Sequence, residues 1–282
     1  MSSPLIGAPQ LRRALERRPP PTLLDVRFDV AAGPLRADYE RGHIPGAAFV
    51  DLDAALAGPP GRAGRHPLPE PAVFVDAMRR AGVGARRPVV VYDAAGGVMA
   101  ARAWWLLRHY GHPRVALLDG GLDAWVAAGG ELERGPFEPP PGDFDGHPGS
   151  MPVIDADAAA SLPARGVLID ARQPERYSGE VEPLDPVGGH IPGARNRSTR
   201  DNLRADGRFL PVADLRAHFE RLGALDAAEV AVYCGSGITA AHEVLALELV
   251  GVRAALYPGS WSEWVADGSR PVATGAQPGV AG

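Results

Sequence analysis

The sequence contains four short motifs twice, in the same order. The second set follows the first at an offset of about 140 residues, which is the separation expected of two copies of one domain. This repetition constrains the fold more than composition does, because both copies must adopt one architecture. The paired motifs are Leu24–Arg27 with Ile169–Arg172, Gly42–Ala47 with Gly189–Ala194, Val89–Tyr92 with Val230–Tyr233, and Leu118–Trp125 with Tyr257–Trp264.

The chain of 282 residues is long enough for two domains. We predict an N-terminal domain over residues 1–137 and a C-terminal domain over residues 151–282. The stretch between them, residues 138–150, is rich in proline and glycine and is predicted to be a linker.

Short apolar strands alternate with helical stretches within each copy. Val167–Asp170 and Val230–Tyr233 are apolar, β-branched runs, typical of parallel strands covered on both faces. Residues 239–250 have apolar side chains at helical spacing, and Gly251 follows as a stop. The alternation predicts an α/β fold in which each domain is a mostly parallel sheet flanked by helices. In such sheets, ligands bind beyond the carboxyl ends of the strands.

The single cysteine, Cys234, directly follows the predicted strand Val230–Tyr233 and begins the segment Cys-Gly-Ser-Gly-Ile-Thr. Gly235 and Gly237 allow a tight loop with inward-pointing backbone N–H groups, and the following helix N-terminus adds positive potential. Both effects favour a thiolate, and the same N–H groups could hold a persulfide anion. Cys234 is therefore predicted to be a nucleophile. A buried, inert cysteine is the alternative interpretation.

The first copy provides an internal comparison for this loop. It has Asp93 at the position that Cys234 occupies in the second copy, and its loop is one residue longer. A carboxylate cannot carry a transferred sulfur as a thiolate does. We therefore predict that the first domain is catalytically silent.

Composition excludes several kinds of chemistry. One cysteine per chain excludes an intrachain disulfide and any Cys-rich zinc site or iron–sulfur cluster. All 29 basic residues are arginines, which excludes lysine Schiff-base chemistry and a Walker A loop. The net charge of −5 argues against a general nucleic-acid partner.

The expected location is the cytoplasm, without a membrane partner. No apolar run approaches the ~20 residues that a transmembrane helix needs, and the first residues lack the apolar region of a secretory signal. The start is rich in arginine, as in a transit peptide. However, Leu11 and Leu15 share one helical face and Glu16 interrupts the acid-poor character, so we interpret it as a surface helix.

Taken together, these motifs resemble the tandem-domain rhodanese family of sulfurtransferases, nearest to its 3-mercaptopyruvate branch. The resemblance covers residues 22–264 and rests on the Cys234 loop, the repeated Gly-His-Ile-Pro-Gly-Ala and the motifs that end at Trp125 and Trp264. It implies that Cys234 takes sulfur from a small-molecule donor and becomes a persulfide. The persulfide would then pass its sulfur to an external thiol, cyanide or a thioredoxin-like acceptor. The resemblance implies no metal and no organic cofactor.

The resemblance also implies a Ser–His–Asp relay beside the cysteine. The matching positions are Ser236 in the loop, His66 before a Pro-Leu-Pro and Asp53 after the first Gly-His-Ile-Pro-Gly-Ala. Such a relay could protonate the enolate of pyruvate as it leaves. Because Asp53 and His66 precede the predicted linker, we expect a cleft between domains. Alternatively, Ser236 caps the following helix and His66 packs beside prolines.

Arg176, in Arg-Tyr-Ser-Gly, matches the substrate arginine of the family, and its guanidinium can bind a carboxylate with two bonds. An exposed ion pair is the alternative for this residue. Animal members have a second arginine before Gly-His-Ile-Pro-Gly, but residues 180–188 contain none here. The other substrate-binding positions that the resemblance implies are Gly235, Gly237, Ile238 and Thr239.

Other functions remain open at this point. Thiosulfate is the alternative donor, although thiosulfate-preferring relatives usually have Cys-Arg-Lys-Gly where this chain has Gly235 and Ser236. A cysteine-loop phosphatase needs Cys-x5-Arg, but the sixth residue after Cys234 is Ala240. A non-catalytic binding module fits the first copy, with Asp93, better than the second.

Overall fold

A computed structural model describes residues 3–279, which form two compact units. The first unit comprises residues 3–58, Leu68–Met151 and Leu203–Phe209. The second comprises Pro59–Pro67, Pro152–Asn202 and residues 210–279. Each unit therefore includes one short segment from the opposite half of the chain, a feature that the sequence repeat alone does not reveal.

The first unit contains a five-stranded parallel sheet in the order β1-β7-β6-β2-β5 and a two-stranded antiparallel ribbon, β3 and β4. Its strands are β1 Leu5–Ile6, β2 Thr22–Asp25, β3 Phe28–Asp29, β4 Gly33–Pro34, β5 Ala47–Phe49, β6 Val89–Tyr92 and β7 Val115–Leu118. Its helices are α1 Ala8–Leu15, α2 Arg36–Arg41, α3 Pro71–Arg80, α4 Ala100–His109 and α5 Gly121–Ala127, with a π-helical turn at Leu52–Leu56.

The second unit contains a four-stranded parallel sheet in the order β11-β10-β8-β9. Its strands are β8 Val167–Asp170, β9 Arg195–Asn196, β10 Val230–Tyr233 and β11 Ala255–Leu256. Its helices are α6 Ala156–Ser161, α7 Pro174–Ser178, α8 Val212–Arg221, α9 Thr239–Leu249 and α10 Ser260–Trp264, with 3-10 turns at Leu162–Ala164 and Thr199–Asn202. The order repeats β7-β6-β2-β5 of the first unit, so the α/β fold with mostly parallel sheets is confirmed.

In each unit, the helix that follows the central strand, α4 after β6 and α9 after β10, buries more residues than any other described helix of that unit. All four residues of β6 and of β10 are buried, as expected of parallel strands covered on both faces. Helix α9 is apolar around most of its circumference and buries eight of its eleven residues. It begins at Thr239 as predicted and ends at Leu249, one residue before the predicted limit. Burial of α9 against the sheet fixes the position of its N-terminus, which directly follows the cysteine loop.

The repeated Asp-x-Arg motif forms the same buried ion pair in both units. Arg172 Nη2 lies 2.6 Å from Asp170 Oδ2 and also donates to the carbonyl oxygen of Gly189. Arg27 makes the corresponding contacts with Asp25 and with the carbonyl oxygen of Gly42. Because each charge is paired and hydrogen-bonded, the motif anchors the Gly-His-Ile-Pro loop to the sheet instead of performing chemistry.

Residues 138–150, the predicted linker, belong to the first unit. The N–H of Gly142 donates to the carbonyl oxygen of Arg79 at 2.8 Å, and that of Phe144 donates to Val83 at 3.1 Å. The Phe144 side chain is buried beside Phe74. This stretch is thus docked along helix α3, in contrast to the free connection that its composition suggests. None of the helices described between residues 3 and 279 is long and apolar enough to cross a membrane.

Candidate active site

Cys234 lies at the carboxyl end of β10, where a parallel sheet places its ligand site. Its backbone N–H donates to Ser260 Oγ at 3.1 Å, and its carbonyl oxygen accepts from the N–H of Trp261 at 2.9 Å. Gly235 is fixed in a similar way, since its carbonyl oxygen accepts from the N–H of Ser262. Helix α10 therefore holds the start of the cysteine loop, and Cys234 itself is only 2% exposed.

The loop directs a backbone N–H group at the sulfur. The N–H of Gly237 donates to Cys234 Sγ over an N···S distance of 3.1 Å. Gly237 has φ +78°, and a β-carbon there would lie 2.3 Å from the carbonyl oxygen of Pro258. Only glycine fits this position without displacing the backbone. The N-terminus of α9 follows this donor two residues later in the chain.

Ser236 and His66 lie in hydrogen-bond contact, as the family resemblance implied. His66 Nδ1 is 2.8 Å from Ser236 Oγ, and Ser236 is buried while His66 is half-buried. His66 belongs to Pro59–Pro67, the segment that the first half of the chain contributes to the second unit. Two backbone hydrogen bonds of 3.0 Å join Gly61 and Gly64 within this segment. The backbone N–H of Arg65 also donates to Ser262 Oγ and holds the segment against α10.

Asp53 lies in the first unit, on the π-helical turn Leu52–Leu56. Desolvation raises the pKa of its carboxyl above the usual range, and the neighbouring Asp51 carboxylate raises it further. Its role as the third member of the relay stays a prediction, as does the expected cleft between domains.

Arg176, on helix α7, lies beside the cysteine loop. A β-carbon on Gly235 would be 3.4 Å from both terminal nitrogens of this guanidinium. Arg176 also donates to Glu182 at 2.7 and 3.0 Å and to Asp185 at 3.1 Å. The ion pair weighed as an alternative is therefore present, but it is largely buried, since the Arg176 side chain is 16% exposed.

Arg65 is a second arginine at the loop and was missed from the sequence. Its Nη2 would lie 3.1 Å from a β-carbon on Gly235, and its Nη1 binds Asp185. Its backbone N–H donates to Ser262 Oγ at 3.0 Å. The sequence signal for Arg65 was its position directly before His66. The sequence spacing did not indicate that Arg65 contacts residues more than a hundred positions later in the chain.

Ile238 and Thr239 complete the predicted binding positions. Ile238 is buried, and its carbonyl oxygen accepts from the N–H of Ala241 at 3.1 Å. Thr239 is the first residue of α9. These contacts assign both residues to the helix start, and any contact that they make with a substrate stays a prediction.

The corresponding loop of the first unit surrounds a carboxylate group, that of Asp93. Asp93 is fully buried, and its carboxylate accepts four backbone N–H groups, from Ala95, Gly97, Met99 and Ala100, over distances of 2.7–2.9 Å. Burial raises the pKa of Asp93, while these four donors oppose that rise. A loop of this type can therefore surround a negatively charged group with N–H donors. The catalytic silence of this unit remains a prediction.

Glu243 is a further buried ionisable group, on α9 in the second unit. Burial raises its pKa to about 7, against the opposing effects of Arg197 and of Asn202, whose Nδ2 donates to it at 2.5 Å. Among the described side chains, no group of three or more His, Cys, Asp and Glu residues is arranged to hold a metal ion.

Comparison with known proteins places the geometry in context. The family model of the rhodanese-like domain matches twice, at residues 8–128 and 155–267. A Pseudomonas aeruginosa protein named as a 3-mercaptopyruvate sulfurtransferase is 47% identical, over 97% of this chain and 99% of its own. A Mycobacterium tuberculosis protein named as a thiosulfate sulfurtransferase, SseB, is 44% identical over 96% and 97%. The crystal structure of SseA, a 3-mercaptopyruvate enzyme of Escherichia coli, is 34% identical with a TM-score of 0.80, over 93% of this chain and 100% of its own.

Proposed function

This chain belongs to the rhodanese-like domain family and is a sulfurtransferase, and we propose that Cys234 carries the sulfur that it takes from 3-mercaptopyruvate. The observation that carries the proposal is the N–H of Gly237 directed at Cys234 Sγ, 3.1 Å away, in a loop that precedes the N-terminus of α9. A thiolate is the reactive form of cysteine.

The first half-reaction leaves a persulfide on the enzyme. The Cys234 thiolate attacks the donor sulfur, and the carbon–sulfur bond breaks with its electron pair moving to carbon. The leaving group is the enolate of pyruvate, which takes up one proton to become pyruvate. The sulfur remains on Cys234 as a persulfide, whose negative charge the backbone N–H groups of the loop stabilise.

Ser236 and His66 are proposed to supply that proton. The His66 Nδ1 to Ser236 Oγ distance of 2.8 Å permits proton transfer between imidazole and hydroxyl, and Ser236 is two residues from Cys234. We assign Asp53 the role of orienting His66, on the family pattern alone. Arg176, beside Gly235, is proposed to bind the donor carboxylate.

The second half-reaction needs a nucleophile from outside the chain. The sequence contains one cysteine, so no second thiol of this chain can attack the persulfide. An external thiol, cyanide or a thioredoxin-like protein would attack the outer sulfur, and the electron pair of the sulfur–sulfur bond would return to Cys234. We propose that this exchange takes place in the cytoplasm.

Thiosulfate is the second candidate donor, because the SseB relative carries that name. The loop of this chain has Gly235 and Ser236 beside Cys234 and therefore no cation within the loop itself. The electrostatic attraction between a dianion and such a loop is weaker than the attraction between a dianion and a loop that contains two cations. This difference favours 3-mercaptopyruvate.

The test is a comparison of kcat/KM for the two donors with cyanide as the common acceptor. We expect the value for 3-mercaptopyruvate to be the higher by at least about tenfold, the equivalent of one good charge-assisted hydrogen bond. Cys234→Ser should abolish turnover of both donors. A higher value for thiosulfate would overturn the donor assignment, and retained turnover by Cys234→Ser would overturn the role of Cys234.

A further inference from the structure

Two guanidinium groups lie against Gly235, the residue that follows Cys234. Nη2 of Arg65 would be 3.1 Å from a β-carbon at Gly235, and Nη1 and Nη2 of Arg176 would each be 3.4 Å away. Arg65 comes from the segment Pro59–Pro67 and Arg176 from α7, and both belong to the second unit. Two guanidinium groups this close to one residue repel each other, and nearby anions are needed to offset that repulsion.

The compensating anions are Asp185 and Glu182. The Asp185 carboxylate bridges the two arginines, with Oδ1 on Nη1 of Arg65 and Oδ2 at 3.1 Å from Nη2 of Arg176. Glu182 binds Nε and Nη2 of Arg176 at 3.0 and 2.7 Å. Both carboxylate side chains are buried, with exposures of 3% and 5%, so the guanidinium planes are held in fixed orientations.

These ion pairs leave specific donors unused. Within the part of the chain that the structure describes, Nη2 of Arg65 and Nη1 of Arg176 donate no hydrogen bond to protein. They are also among the nitrogens that lie nearest to Gly235. The acidic residues thus occupy Nη1 of Arg65 and both Nε and Nη2 of Arg176. Nη2 of Arg65 and Nη1 of Arg176 lie against Gly235 of the cysteine loop.

We infer that Arg65 is a specificity-determining residue, which binds the carboxylate of the sulfur donor jointly with Arg176. This inference rests on the proposed function and adds a second arginine to the site. One N–H group from each guanidinium is a suitable pair of donors for the two oxygens of a carboxylate. Asp185 is a positioning residue, because it acts only by holding the two guanidiniums side by side.

The charge balance of this cluster indicates which anion it prefers. Glu182 is shared with Arg172, which also pairs with Asp170. The three arginines Arg65, Arg172 and Arg176 are thus matched by Asp170, Glu182 and Asp185, and the cluster has no net charge to attract a dianion from a distance. Recognition depends on directed N–H groups at short range. The ligand class that fits is a small monoanionic α-keto acid whose reactive atom lies over Cys234.

A pair of alkylating reagents tests this inference separately from sulfur transfer. Bromopyruvate and bromoacetone share the same reactive carbon and ketone, but only bromopyruvate has a carboxylate. Each reagent forms a carbon–sulfur bond with the thiolate and releases bromide, and the single cysteine makes the measured rate specific for Cys234.

In Arg65→Gln we expect alkylation by bromopyruvate to slow by about tenfold, the loss of one charge-assisted hydrogen bond, with bromoacetone unchanged. Arg65→Lys should recover part of the rate, because it restores the charge without the planar fork. Arg165→Gln is the control, since it removes an arginine that pairs with the exposed Glu229 elsewhere in the unit. For 3-mercaptopyruvate, KM should rise about tenfold in Arg65→Gln with kcat little changed.

An equal slowing by both reagents in Arg65→Gln would assign Arg65 a merely structural role and overturn the inference. An unchanged bromopyruvate rate would overturn it as well. If the wild-type protein shows the carboxylate-dependent alkylation but transfers no sulfur from 3-mercaptopyruvate, the inference stands and the proposed function fails.

Discussion

Individual side chains at the site differ in how far the sequence reveals them. Cys234 is apparent from its loop, because strand, cysteine, two glycines and helix follow one another without interruption. The contact between Ser236 and His66 was expected only from the family resemblance, since 170 positions separate the two residues. Arg65 was not predicted, because its importance depends on where the segment Pro59–Pro67 folds.

The Ser236 hydroxyl should matter for one donor and not for the other. In Ser236→Ala we expect kcat for 3-mercaptopyruvate to fall by about a hundredfold, the usual contribution of a positioned proton donor. Thiosulfate turnover should change little, because sulfite leaves without needing a proton on carbon. Steady-state kinetics with both donors measures this difference. Equal losses for the two donors would remove Ser236 and His66 from the proton transfer.

Secondary-structure elements were the most predictable level of the structure. The predicted strands Val167–Asp170 and Val230–Tyr233 have the predicted limits, and α9 begins at Thr239. Local apolar patterns decide these features, so no distant contact is needed to find them. The composition of residues 138–150 is typical of a linker. Composition does not reveal the backbone hydrogen bonds that join this stretch to Arg79 and Val83.

Helix α9 should give the protein a pH-dependent stability through Glu243. The pKa of this buried carboxyl is about 7 in the folded protein, against 4.5 as its ordinary value. Between these two values the folded state holds the proton more tightly than the unfolded state, so stability falls as pH rises from about 4.5 to about 7. The shift corresponds to roughly 3 kcal/mol of unfolding free energy.

Glu243→Gln should remove the fall in stability with rising pH, because a glutamine cannot ionise. Its amide oxygen can still accept a hydrogen bond from Asn202. Urea unfolding of both proteins at about pH 4.5 and about pH 8 measures the difference. Glu220→Gln, an exposed residue of α8, is the matched control and should leave the pH dependence as it is in the wild type. A wild-type pH dependence in Glu243→Gln would contradict the assignment.

At the scale of the whole molecule, the repeat predicted the architecture correctly. Two parallel sheets with matching strand orders follow from motifs that recur in the same sequence. The repeat could not reveal that Pro59–Pro67 and Leu203–Phe209 each join the unit formed by the opposite half. This arrangement depends on packing between distant residues, which a pattern within each copy does not record.

The two copies also show how one loop type can serve two purposes. In the first unit, the Asp93 carboxylate takes up four backbone N–H groups by itself. In the second, Cys234 Sγ accepts from Gly237, and the loop precedes a buried helix in the same way. A fixed internal carboxylate leaves no donor for a transferred sulfur, so we expect only the second unit to carry one.

The most direct test of this account is the intact mass of the protein after treatment with 3-mercaptopyruvate, read together with the pyruvate released. We expect a gain of one sulfur atom per chain, located on Cys234 by peptide mapping, and an equal amount of pyruvate. The extra mass should disappear when cyanide or a thiol is added. Pyruvate release without any added sulfur on Cys234, or an equal gain in Cys234→Ser, would contradict a persulfide on this cysteine.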